Sequence, residues 1–101
     1  MVIITSKYVK PLAVIDALLA DRRRFLAECH RESKFLYWGA RSPRTGEAMI
    51  ADVDIDEARA IVKKDPLFTA GAAEYEFVEF TPGRANEGLF WEQRVPSHIF
   101  D

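Results

Sequence analysis

A chain of 101 residues with 49% hydrophobic side chains fits a single domain with a substantial core. Its 14 basic and 16 acidic residues leave a net charge of −2, which argues against a nucleic-acid partner, since phosphate binding needs a clustered basic surface. The one cysteine, Cys29, cannot close an intrachain disulfide. The opening "MVIITSKYVK" lacks the features of a signal peptide, and no apolar run approaches the roughly 20 residues of a membrane span. The expectation is a cytoplasmic chain that meets neither membrane nor nucleic acid.

"VIITSKYV" is β-branched and predicts a first strand. Pro11 suits the first turn of the helix that follows, and apolar residues then recur at helical spacing as far as Cys29, with Asp21 as a candidate break or second cap. "KFLYWGA" predicts a second strand in which Gly39 marks a bulge or a close backbone approach. "RSPRTGE" reads as a turn into the third strand, "AMIADV". In "DIDEARAIVKKDP", Asp54 and Glu57 have capping spacing, Ala58, Ile61 and Val62 form the apolar stripe, and Pro66 ends the helix at Asp65. "AEYEFVEF" is the fourth strand.

The order β-α-β-β-α-β predicts an α+β, ferredoxin-like protomer over residues 1–82. Both alternating sets of side chains in the first two strands are largely apolar: Val2 and Ile4 against Ile3, Phe35 and Tyr37 against Leu36 and Trp38. A sheet with one face in water would alternate instead. The open face is therefore expected to meet a second copy of the chain. Residues 83–101 form an extension whose Leu89, Phe90, Trp91, Val95, Ile99 and Phe100 are costly to leave in water. The extension is expected at an oligomer interface, and it could build assemblies larger than a dimer.

The first helix contains one anomaly. Its core positions step 15, 18, 22, 25 and 29, and Arg22 interrupts an otherwise apolar series. An arginine on such a stripe either snorkels outward or finds an anion. Both helices lie on one sheet face in this topology, so Asp65, at the end of the second helix, is a candidate partner.

The "RRRFL" that follows "PLAVIDALLAD", the hairpin "FLYWGARSPRTGEAMIA" and the stretch "KKDPLFTAGAAEYEFVEFTP", in that order, resemble the YCII-related, or YciI-like, proteins. The resemblance implies a dimeric α+β barrel and a site in which a histidine opening "HRxFL" faces the aspartate of "DPF". Asp65 takes the aspartate position here, but Arg22 stands where the histidine would be. The glycine of the "SGP" motif corresponds to Gly39, between Trp38 and Ala40. Histidine exchanges a proton near neutral pH and guanidinium does not. One expectation is thus a small-molecule pocket around Arg22 and Asp65, in which catalysis is lost or changed. The alternative is a small enzyme that uses Asp65, oriented by Arg22, on a small aromatic or anionic metabolite. Trp38 and Phe68, beside Gly39 and Asp65, are the candidate pocket walls.

The remaining residues point away from cofactor chemistry. His30 suits a helix C-terminus on dipole grounds, and His98 lies alone in the extension. Cys29 reads as a small hydrophobe on the helix stripe. Two isolated histidines and one cysteine fall short of the three or four ligands a metal site requires. "PRTGE" is no phosphate loop, so no cofactor is expected.

Overall fold

The computed structural model describes residues 1–84. The apolar extension and His98 therefore lie outside the described residues. Within them the chain forms β1 (Val2–Tyr8), α1 (Leu12–Ala17), α2 (Leu19–Arg31), β2 (Phe35–Ala40), β3 (Gly46–Ala51), α3 (Ile55–Val62), α4 (Pro66–Thr69) and β4 (Ala73–Glu79). The strands make one antiparallel sheet in the order β2-β3-β1-β4. This is the expected ferredoxin-like arrangement, with each helical crossover divided in two.

The division of the first crossover falls at Leu18 and not at Asp21. Leu18 closes α1 and opens α2, and neither end has a side-chain cap. Asp21 sits instead in the first turn of α2, where negative charge suits the helix dipole. In the second crossover Asp54 caps α3 as expected, accepting from the Glu57 amide at 2.8 Å. The Glu57 carboxylate pairs with Lys34 at 3.0 Å. α3 ends at Val62 with Lys63 as its C-cap, earlier than the expected stop at Asp65; Pro66 is instead the first residue of the four-residue helix α4, which the apolar pattern did not reveal.

Two glycines exchange the roles expected of them. The register irregularity in β2 falls between Phe35 and Tyr37, and a Cβ built on Gly39 meets nothing within 4 Å. Gly39 is thus neither the bulge nor a close approach. Gly46, expected in a turn, opens β3, and a Cβ there would lie 1.8 Å from the Ser6 carbonyl oxygen. Only a residue without a Cβ lets β3 lie against β1 at that point.

The helices cover one face of the sheet over two apolar clusters. The larger joins Val2, Ile4, Leu26, Phe35, Met49, Ile61 and Val62; the smaller joins Ile15, Leu67, Ala72 and Ala73. Burial of each large aliphatic side chain stabilises the fold by roughly 1.5–3 kcal/mol. Several elements lead from the larger cluster into a polar residue. Val2 and Ile4 of β1 lead to Ser6, Ala51 and Met49 of β3 to Glu47, and Cys29 and Leu26 of α2 to Arg22. Ile61 and Val62 of α3 lead to Asp65 and then to Leu67 in the smaller cluster. A buried polar layer therefore divides the core.

The opposite sheet face carries Ile3 in register with both Ile50 and Val78, and Tyr37 opposite Ile50. Ile3, Tyr37 and Val78 are 37%, 55% and 58% exposed. The apolar band expected from the sequence is present, spans all four strands and is uncovered in the single chain.

Candidate functional site

The anomaly at Arg22 resolves into a closed ionic cluster. Arg22, Glu47 and Asp65 are only 2%, 3% and 1% exposed. Arg22 Nη1 donates to Glu47 Oε2 at 2.8 Å, and Nη2 lies 2.6 Å from Oε1. Nε lies 2.9 Å from Asp65 Oδ1. The Nη2 and Nε contacts are ion pairs at close range whose N–H groups do not line up as hydrogen bonds. Arg22 does not snorkel; it sits between two carboxylates.

The carboxylates are themselves held from outside the pair. Asp65 lies in an extended conformation between α3 and α4 and caps α4, its Oδ1 accepting from the Leu67 amide at 2.9 Å. Its Oδ2 accepts from the Tyr75 hydroxyl at 2.9 Å. Glu47 Oε2 accepts from the Tyr8 hydroxyl at 2.9 Å, and the Glu47 amide donates to Ser6 Oγ at 3.0 Å. The chain of contacts runs Tyr8, Glu47, Arg22, Asp65, Tyr75 across the helix-covered face of the sheet.

Charge decides what this cluster can do. One guanidinium faces two carboxylates, so the ionised cluster carries one net negative charge away from water. Burial pushes the Arg22 guanidinium down, but the Glu47 hydrogen bond and the Asp65 and Glu47 charges outweigh it and hold it above its ordinary value. Burial pushes the Asp65 carboxyl up; Arg22, the Leu67 amide and Tyr75 oppose this without cancelling it. Tyr8 is raised to about 12 by burial, with Glu47 adding to the effect. Tyr75 is likewise raised, by burial first and the Asp65 charge second. A guanidinium cannot act as a base. Asp65 has donors on both oxygens and almost no exposed surface, so it presents no accessible lone pair to an incoming molecule.

The other residues singled out from the sequence do not converge on this point. Trp38 and Gly39 lie on β2, at one edge of the sheet, whereas Phe68 lies on α4 beside β4, the other edge strand. Two strands separate those edges, and neighbouring strands are roughly 4.8 Å apart, so Trp38 and Phe68 do not share a pocket wall in one protomer. Phe68 stands 6.2 Å from Tyr75, ring centroid to centroid. Cys29 is buried with its thiol pushed up to about 11 by burial, as a core hydrophobe would be. Exposed His30 rests edge-on near Phe35. No group of three or more metal-ligating side chains occurs among the described residues, and none of their helices is long and apolar enough to cross a membrane.

Glu47, Tyr8 and Tyr75 were not singled out from the sequence, yet alternation alone could have found them. Met49 and Ala51 face the helices, and Glu47 has their parity. Tyr75 has that of Ala73 and Phe77, and Tyr8 that of Ile4 and Ser6. Starting the third strand at Ala48 instead of Gly46 hid the glutamate.

Beside the cluster, on the outer side of Tyr75, a groove of about 570 Å3 runs between α3, α4 and β4. Phe68, Tyr75 and Phe77 supply its aromatic walls and Arg59 and Lys63 its cations.

The YCII-related domain profile matches residues 1–81. The chain belongs to the YCII-related family. No curated protein matches it. Among solved structures it is similar to 5-chloro-2-hydroxyhydroquinone dehydrochlorinase (TftG) from Burkholderia phenoliruptrix, in complex with 2,5-dihydroxybenzoquinone. That likeness has a TM-score of 0.66 at 19% identity and covers 79% of this chain and 93% of the other, and it establishes the fold alone.

Proposed function

We propose that this chain is a homodimeric, small-molecule-binding member of the YCII-related family, in which Arg22, Glu47 and Asp65 form a structural lock and not a reactive dyad. The observation that carries the reading is the closure of the cluster: each of its three charged residues is at most 3% exposed. Where the family resemblance implies a histidine, this chain holds a group that cannot exchange a proton at neutral pH.

The dimer is supported by the uncovered apolar band and by charge. Beside the band, Thr5, Lys7, Arg41, Glu74 and Glu76 line a hollow of about 430 Å3 on the same sheet face. Such a patch is self-complementary under a two-fold axis, with the cations of one copy meeting the acids of the other.

A second reading keeps Asp65 as the reactive carboxylate. It is favoured by the Tyr75 hydrogen bond, which places Asp65 one side chain from the open groove. Chloride release from 5-chloro-2-hydroxyhydroquinone, together with calorimetry using 2,5-dihydroxybenzoquinone, separates the two. The lock reading expects saturable binding without chloride release. Chloride release that Asp65→Asn abolishes while the fold persists would overturn it in favour of the enzyme.

A further inference from the structure

The groove beyond Tyr75 has three features of a built site. Its walls are three rings from separate positions: Phe68 on α4, and Tyr75 and Phe77 two residues apart on β4. Phe68 is 44% exposed despite its contact with Tyr75, and apolar surface left in water is costly. Its cations come from α3 and from the residue that caps its C-terminus. The Arg59 guanidinium already lies 4.9 Å over the centroid of Phe77, held by cation–π attraction, and Lys63 stands one turn further on. A volume of about 570 Å3 falls among those of sites that hold small organic ligands.

The charge balance narrows the ligand further. Two cations, Arg59 and Lys63, border the groove, while alternation along β4 turns the Glu74 side chain to the opposite sheet face with Lys7, so the groove favours an anionic group. Arginine presents a planar fork that suits a carboxylate. Tyr75 is fixed by its bond to Asp65, and Asp65 by Arg22 and the Leu67 amide. The lock therefore holds one wall of the groove rigid, which lowers the ordering cost of binding.

We propose that this groove binds a small aromatic carboxylate, its ring against Phe68, Tyr75 and Phe77 and its carboxylate at Arg59 and Lys63. The proposal rests on the small-molecule-binding reading above and gives that reading a place and a ligand class. Tyr75 acts in it as a positioning residue for the ring, not as a catalytic one.

The test is an amide NMR titration of the full chain with three probes: sodium benzoate, benzyl alcohol (a ring without charge) and acetate (a charge without a ring). The expected result is saturable benzoate shifts at Arg59, Lys63, Phe68, Tyr75 and Phe77, with both controls at least about tenfold weaker. Lys63→Glu should weaken benzoate by about tenfold and Phe68→Ala by several-fold; both residues are exposed, so the fold should tolerate the changes. Tyr75→Phe, which keeps the ring but frees it from Asp65, should weaken benzoate less than Phe68→Ala does. Benzoate shifts that map elsewhere, benzyl alcohol binding as well as benzoate, or an unaltered Lys63→Glu variant would each overturn the groove while leaving the binding reading in place. Failure of benzoate and 2,5-dihydroxybenzoquinone alike to bind anywhere at millimolar concentration would overturn both. Shifts along β4 that depend on protein concentration and not on ligand would assign the groove to self-association, and so overturn the proposal too.

Discussion

Replacing Arg22 with methionine keeps most of the side-chain length and removes the charge. Three close contacts vanish, at 2.6, 2.8 and 2.9 Å, and two carboxylates with at most 3% exposure are left without their cation. Removing one partner of a buried pair costs about 3–5 kcal/mol, mainly because the orphaned charge stays away from water. Against a total stability of about 5–15 kcal/mol for a domain of this kind, that is a large fraction. Urea unfolding at pH 7 should show the loss as a lower midpoint with an unchanged slope. The effect should also depend on pH in a defined direction. Asp65 is already raised by burial, and losing Arg22 raises it more. A raised carboxyl favours the fold while protonated, and that advantage is lost as pH rises through its folded value. The gap between variant and wild type should therefore narrow on acidification toward about pH 4, where free carboxyls begin to protonate. A cost below about 1 kcal/mol at pH 7, the value of an exposed pair, would refute the reasoning.

Three further predictions follow from separate parts of the molecule. Gly46→Ala drives a methyl into the Ser6 backbone and should cost about 1–3 kcal/mol, whereas Gly39→Ala should stay within about 0.5 kcal/mol of wild type; equal thermal shifts would contradict the assignment of the close approach to Gly46. Tyr8, raised to about 12, and Tyr75, also raised, keep protons that the unfolded chain releases near pH 10. Stability should fall as pH rises from about 10 to 12, and Tyr8→Phe should flatten that fall; a level wild-type profile there would count against both hydrogen bonds. Ile3→Glu places a charge in the apolar band and should convert a dimer to a folded monomer by sedimentation. A wild-type monomer, or a dimer indifferent to the substitution, would remove the open face as the interface.

Periodicity and punctuation carried the fold. β-branched strands, the apolar stripe on α3 and the Asp54 cap all appear where local chemistry demands them, whereas α3 ends at Val62, ahead of the stop expected at Pro66. Arg22 was legible as an anomaly because an arginine on an apolar stripe needs an anion, and Asp65 was a fair partner because both helices share one sheet face. What could not be read was the second carboxylate. Glu47 reaches Arg22 only once β3 is placed beside β1 in a specific register, and that register depends on Gly46 having no Cβ. Helix α4 was hidden for a different reason: four residues are too few to show a period. Trp38 and Gly39 seemed near Asp65 only through the family pattern; in the sheet order they stand on the far edge.

The central claim, that Arg22 is sealed between Glu47 and Asp65, is tested most directly by NMR of the arginine Nε–H groups. A guanidinium with 2% exposure should keep its Nε proton through hours of solvent exchange, and adding benzoate or 2,5-dihydroxybenzoquinone should not move it as a direct contact would. Exchange within seconds, together with a large shift on adding either anion, would mean that Arg22 faces an open site, and the lock would have to be abandoned.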